Sequence, residues 1–142
     1  MQAKITTQHG DLTVAFFEED APKTVANFVD LARKGFYNGL KFHRVIPGFV
    51  VQGGCPQGTG TGGPGYKIDC ELTGGNQIHD RGVLSMAHAG RNTGGSQFFL
   101  VLDRASTSHL DRNHTCFGKV VSGIEHLEAI RQGDAFSVEI ID

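Results

Sequence analysis

Long apolar stretches are missing from this chain. The longest uninterrupted run, Phe98–Leu102, is far short of the roughly 20 residues that a bilayer-spanning helix needs. Runs of like charge are also missing. No stretch of Lys or Arg exceeds two residues and the formal net charge is −2, so the electrostatic footprint of a nucleic-acid or anionic-membrane binder is absent and a nearly neutral ligand is expected. Cysteine is sparse, with Cys55, Cys70 and Cys116 making an odd count of three. The N-terminus Met1-Gln2-Ala3-Lys4 enters a strand pattern without a signal-peptide apolar region. A non-exported protein with free thiols in a reducing, cytoplasmic compartment is expected. A Cys55–Cys70 bridge under oxidation stays open. Internal repeats and low-complexity segments are absent, and 142 residues suit one domain spanning 1–142 with a substantial core.

Periodicity supplies the elements. Lys4–Thr7 and Leu12–Phe17 flank His9-Gly10-Asp11, a hairpin turn by composition, and Leu12, Val14 and Phe16 alternate with Thr13 and Ala15. Pro22 opens a helix in which Val25, Phe28, Val29, Ala32 and Phe36 keep helical spacing, with Gly35 as its stop. From Lys41 to about Val120, short strands are cut by glycine-rich turns, as in a sandwich or barrel. Ser122-Gly123-Ile124-Glu125 reads as a capping box for a second helix that turns Ile124, Leu127 and Ile130 inward and ends at Gly133; Ser137–Ile141 closes as a strand.

Two segments carry chemistry. In Phe42-His43-Arg44-Val45-Ile46-Pro47-Gly48-Phe49-Val50-Val51-Gln52-Gly53-Gly54, a single cation lies in an apolar, strand-prone run with one amide downstream. A permanent cation with five fixed donors among Phe42, Ile46 and Phe49 suits a site that grips a polar group beside an apolar pocket. Alone, the run also fits an edge strand with an outward charge. The second segment is Gly82-Val83-Leu84-Ser85-Met86-Ala87-His88-Ala89-Gly90, followed by Asn92-Thr93-Gly94-Gly95-Ser96-Gln97-Phe98-Phe99.

Together these segments resemble the signature of the cyclophilins, and the similarity runs from the first hairpin to the last strand. The resemblance implies a mainly β fold, a closed eight-stranded antiparallel barrel capped by two α-helices. It implies peptidyl-prolyl cis/trans isomerase activity without cofactor or metal, and proline-containing peptides and unfolded or partly folded proteins as partners of a monomer. By the same match Arg44, Gln52, Phe49 and Phe99 would be the catalytic residues. Phe49, Val50, Phe99 and Leu110 would line the proline-ring pocket, with His114 at its edge. Gln52 would bond the substrate carbonyl, and Ala87 and His88, with Gln97 behind, would hold the peptide in extended form. His43 either orients the site or is a satisfied structural histidine. The chain departs from many cyclophilins in having His109 for Trp, His88 for Asn and Val50 for Met, so weak binding of cyclosporin is expected. A proline-binding module that does not turn the bond shares the pocket, and it is the alternative reading.

Other signals weigh less. Gly58-Thr59-Gly60-Thr61-Gly62-Gly63 has dinucleotide-motif spacing, but Pro64 and Gly65 come next, where a helix must open, so a mobile loop beside the cleft is expected. His109, His114 and Cys116 suggest zinc, yet a structural site needs four ligands. Ser85 and Ser96 lie outside G-x-S-x-G. Asp103 and Asp111 read as loop acids near Arg104 and Arg112, and His9, His79 and His126 carry no assigned role.

Overall fold

Alternating burial begins in the first hairpin. β1 (Gln2–Thr7) and β2 (Gly10–Phe16) pair antiparallel from Gln2↔Ala15 to Thr7↔Gly10, sealing Ala3, Ile5, Leu12 and Val14. Helix α1 (Pro22–Arg33) comes next, with Val25, Phe28, Val29 and Ala32 on its buried face and Gly35 at φ +76° beyond its end. The computed structural model describes residues 1–142.

The remaining strands are β3 (Leu40–Lys41), β4 (Arg44–Ile46), β5 (Val50–Gly53), β6 (Val83–Met86), β7 (Phe98–Val101), β8 (Cys116–Ser122) and β9 (Ala135–Ile141). All nine join one antiparallel sheet in the order β3-β9-β1-β2-β8-β6-β7-β5-β4. The fold is mainly β, as expected, with nine hydrogen-bonded segments where eight strands were expected: β3 and β4, the two ends of the order, are separated in the chain only by Phe42 and His43, and pair with β9 and β5 respectively. At the corner between them the Phe42 N–H donates to the Asp134 carbonyl at 2.9 Å, and the Phe42 carbonyl accepts from Gly133 N–H at 2.9 Å.

The second α-helix is corrected as well. Ser122 is the last residue of β8, paired with Thr13, and no side-chain cap forms. The cap position falls to Gly123 at φ +84°, where an added Cβ would lie 2.0 Å from the Asp11 carbonyl oxygen. The segment Ile124–Ala129 is instead a 3₁₀ helix, with three-residue bonds such as His126 N–H to the Gly123 carbonyl at 3.0 Å. Leu127 and Ile130 face inward as expected. A four-residue helix α2 (Arg104–Thr107) and a 3₁₀ turn (Ser108–Leu110) also interrupt the predicted strands. Between residues 54 and 82 regular strands give way to irregular chain, tied down by the Ile68↔Gly94 bridge.

Two apolar clusters result. The larger contains 24 buried residues around Phe28, whose ring meets Tyr37 at 5.0 Å, Phe117 at 5.4 Å and Phe98 at 5.6 Å between centroids. The smaller comprises Val50, Val83, Phe99, Val101 and Cys116 and lies on the opposite side of the same strands. Successive strand residues face opposite sides, so neighbours in sequence separate: Val51, Leu84, Phe98 and Phe117 enter the large cluster while Val50, Val83, Phe99 and Cys116 enter the small one.

Helix α1 starts at Pro22 as predicted, but its N-cap Ala21 offers no side-chain acceptor. Glu71 supplies it from 47 residues away, its Oε1 accepting from Thr24 N–H at 2.7 Å and Thr24 Oγ1 at 2.7 Å. Replacing the carboxylate removes these acceptors and the favourable charge at the helix N-terminus. Glu71→Ala is expected to destabilise the fold by about 1–2 kcal/mol, measured by urea unfolding, with Glu71→Gln losing less.

Candidate active site

Arg44 on β4 stands opposite Gln52 on β5, and Gln52 stands opposite Phe99 on β7. Arg44 Nη1 donates to Gln52 Oε1 at 3.2 Å, Gln52 Nε2 donates to Gln97 Oε1 at 3.2 Å, and Gln97 Nε2 donates to the Gly60 and Gly62 carbonyls at 2.9 and 3.0 Å. The direction of this series is fixed at both ends. A guanidinium can only donate and a carbonyl can only accept, so neither amide can flip without breaking a bond. The series holds the exposed Arg44 head beside the apolar cluster and leaves its remaining donors unpaired by other side chains.

Around the small cluster, Phe49, Ala87 and Leu110 pack as partly buried walls on Val50 and Phe99. Phe99 is 4% exposed and forms the floor. The sequence-predicted pocket residues Phe49, Val50, Phe99 and Leu110 are thus brought together, and Arg44, Gln52 and Gln97 are joined by hydrogen bonds beside them. Apolar walls with few polar groups suit a small saturated ring.

The histidines divide. His114 presents its edge to Phe99, with centroids 5.5 Å apart at 78°, and its Nδ1–H donates to the Met86 carbonyl at 2.9 Å. Burial lowers its pKa first, the Met86 carbonyl opposes this, and the neighbouring His88, His79 and His109 lower it further, to about 4. His88 stacks on His114 at 3.9 Å and 6°. Its Nδ1 accepts from Gly90 N–H at 3.1 Å, so Nε2 carries the hydrogen donated to the Asn113 carbonyl at 2.7 Å. His109 is exposed and stacks on Phe49 at 6.2 Å and 10°. The Nδ1 of His43 is buried without a hydrogen-bond partner, and burial, then Arg44, hold its pKa below the ordinary range. The zinc-like trio is dispersed, with His109 on Phe49, His114 on Met86 and the Cys116 thiol buried in the small cluster, where burial pushes its pKa up to about 12.

On the other side of Gln52 lies a polar groove of about 590 Å³, lined among others by Gly62, Tyr66, Lys67, His88, Thr93 and Gln97. The glycine-rich loop forms one bank. It is anchored where the sequence suggested mobility: Gln97 holds Gly60 and Gly62, and Gly62 N–H donates to Cys55 Sγ at 3.3 Å. Cys55 is buried. Burial would raise its pKa, but backbone N–H groups of Gly62, Thr59, Gly60 and Gln57 bring it down to about 7. All three cysteines are free thiols.

Sequence reasoning missed a polar cluster under the pocket. His79, fully buried, lies flat against Phe99 at 5.8 Å and 15°, with Nδ1 2.9 Å from Asp111 Oδ1 and Nε2 2.8 Å from Ser85 Oγ. The order Ser85–His79–Asp111 has the connectivity of a nucleophilic triad, but Ser85 is fully buried, with its Oγ 3.2 Å from the Thr115 carbonyl, so no substrate reaches it. No local motif announces this cluster; its signal is an unusual polar group, His79, that only the tertiary pairing with Asp111 satisfies.

The family model described as "Cyclophilin type peptidyl-prolyl cis-trans isomerase/CLD" matches residues 2–141. The chain is 58% identical over 134 residues to a peptidyl-prolyl cis-trans isomerase of Helicobacter pylori (strain ATCC 700392 / 26695), covering 93% of this chain and 81% of that one. It is 61% identical over 118 residues to peptidyl-prolyl cis-trans isomerase B of Bacillus subtilis (strain 168), covering 83% and 81%. The crystal structure of a Cryptosporidium parvum cyclophilin-type peptidyl-prolyl cis-trans isomerase in the presence of the dipeptide Ala-Pro superposes with a TM-score of 0.89 at 34% identity, over 100% of this chain and 99% of that one.

Burial of neutral His114 makes stability depend on pH. Its folded pKa lies below the unfolded value near 6.5, so the unfolded state binds the extra proton between about pH 6.5 and 4. Its stabilising contribution is complete above that window and declines as pH falls through it. The thermal midpoint is expected to drop by several degrees from pH 7 to 5, and His114→Gln to flatten part of that slope. Burial also lowers the pKa values of His43 and His79, which add to the slope in the same direction.

Proposed function

With the chain a member of the cyclophilin-type peptidyl-prolyl cis-trans isomerases, and so an enzyme that turns Xaa-Pro bonds, we propose that Arg44 and the Phe49–Val50–Phe99–Leu110 pocket carry its reaction. The observation that supports this most directly is the one-directional hydrogen-bond series from Arg44 through Gln52 and Gln97 to the glycine loop, running beside that pocket. The proline ring enters the apolar pocket. The flanking peptide runs extended along Ala87 and His88. His114 borders the ring through its contact with Phe99, and His109, lying on Phe49, covers the pocket mouth. Proline-containing peptides and partly folded chains are the substrates, in keeping with the Ala-Pro dipeptide present with the Cryptosporidium relative.

Rotation of an Xaa-Pro bond faces a barrier of about 18–20 kcal/mol and takes tens to hundreds of seconds unaided. No bond breaks. In the twisted transition state amide resonance is lost and the prolyl nitrogen regains its lone pair. A donor aimed at that nitrogen therefore stabilises the twisted form over both planar ones, which is the differential binding that lowers a barrier. Shortening about 100 s to about a millisecond takes five decades, or roughly 7 kcal/mol. One preorganised donor contributes about 3–4 kcal/mol. Arg44 supplies about half, and the pocket that holds the ring while the acyl side turns supplies the rest.

Two-dimensional exchange NMR on an Ala-Pro peptide with catalytic protein tests the assignment. Arg44→Ala is expected to lower the exchange rate by about 10²- to 10³-fold while peptide binding persists; an unchanged rate would remove Arg44 from the role. His109 provides a smaller surface and no indole N–H at the pocket mouth, so cyclosporin is expected to inhibit weakly. Full inhibition at low nanomolar drug would contradict that expectation.

A further inference from the structure

We propose that Asp111, held by Arg104 and holding His79, is a positioning residue that fixes the separation of the floor of the apolar pocket, Phe99, from one of its walls, Leu110. The proposal rests on the reading that this pocket takes the proline ring. Asp111 comes directly after Leu110, so its carboxylate governs where that stretch of backbone sits. The same carboxylate reaches the pocket floor. Its Oδ1 accepts from His79 N–H at 2.8 Å and is 2.9 Å from His79 Nδ1, and the imidazole lies flat against the Phe99 ring at 5.8 Å.

The arrangement is over-determined at each point. Arg104 grips the carboxylate with both terminal nitrogens, Nη1 to Oδ1 at 2.9 Å and Nη2 to Oδ2 at 2.8 Å, the fork geometry that gives an Arg–carboxylate pair its directional specificity. Asp80 lies 4.0 Å from Arg104 Nε. On the far side, His79 Nε2 meets Ser85 Oγ at 2.8 Å, and its backbone carbonyl accepts from Thr107 Oγ1 at 3.0 Å. Phe99 is thus backed by an imidazole whose polar atoms are all engaged. The Leu110 carbonyl, in turn, accepts from Asn113 and His114 N–H at 3.0 and 3.2 Å, closing the loop that carries both Leu110 and the His114 edge. A shift of one carboxylate would move floor and wall together.

Catalysis by this pocket depends on immobilising the ring while the rest of the peptide turns, so wall placement matters more in the twisted state than in either planar one. Loosening the pair should lower turnover more than affinity. A purely structural role would lower the melting midpoint and leave both kinetic constants and the Phe99 environment as they were.

The test uses Arg104→Gln, because the Arg104 side chain is 42% exposed at the outer end of the series and its loss leaves the core packed; Asp111→Asn is the second variant. The turnover number and KM for an Ala-Pro peptide are measured by exchange NMR well below the melting midpoint, with the aromatic signals of Phe99 and Phe28 recorded on the same samples. Arg104→Gln is expected to lower turnover about three- to tenfold with KM within about twofold, to shift the Phe99 signals and to leave those of Phe28 unmoved, and Arg104→Lys to recover part of the loss. A lowered midpoint with unchanged turnover and unchanged Phe99 signals would overturn the proposal, and Arg104→Gln decides this even if Asp111→Asn fails to fold. Loss of activity in Arg44→Ala without loss in Arg104→Gln overturns this inference alone; no loss in either overturns the reading of the site itself.

Discussion

The two-residue repeat of an extended strand, applied to strands that are apolar on both faces, is the constraint on which this molecule is built. Along β5, β7 and β8 the pairs Val50-Val51, Phe98-Phe99 and Cys116-Phe117 send one side chain to the helix-covered core and the other to the small cluster. A slip of one residue in β7 would place Phe99 against Phe28 and Phe98 in the pocket, and would misalign Gln52 from its neighbour. The register that packs the core is the same register that assembles the site. Core packing and the geometry of the proposed site therefore share one determinant.

Electrostatic order is imposed on that scaffold from strand β4 at one end and from the glycine loop at the other. Gln52 and Gln97 are individually ambiguous donors and acceptors, but Arg44 at one end and the Gly60 and Gly62 carbonyls at the other leave only one arrangement. The glycine loop acts as the acceptor terminus of the series, and it needs glycine where Gly58 and Gly60 have positive φ. Its hold on Cys55 and Gln97 explains why a segment rich in glycine has a defined course.

The features legible in the sequence were local or linear. The hairpin, α1 and the apolar run around Arg44 arise from alternation, helical spacing and an isolated cation; the hairpin turn falls at residues 8 and 9 rather than 9 to 11, and α1 ends at Arg33, before Phe36. The features that escaped depend on distant partners. The strand expected after Lys41 is interrupted at Phe42, whose backbone bonds to residues 133 and 134. The expected capping box does not form: Gly123 is the cap of a 3₁₀ helix and no side chain caps it. Glu71 caps a helix 47 residues earlier, and His79 finds its acid 32 residues later. In each case a polar group with an unremarkable sequence context acquires its role from a pairing that only the assembled sheet creates.

The strand order also bears on how the chain reaches this state. β1 lies between β2 and β9, so the first strand made has one flank open until residues 135–141 have left the ribosome. β9 in turn supplies the only ladder partner of β3. The nascent chain must hold an apolar hairpin with an unsatisfied flank from the end of β2 until β9 is made, a hazard for pairing with other chains. Closure across such a sequence separation also slows the search for the native topology. A peptidyl-prolyl isomerase is thus itself a chain whose sheet waits on β9 for its assembly.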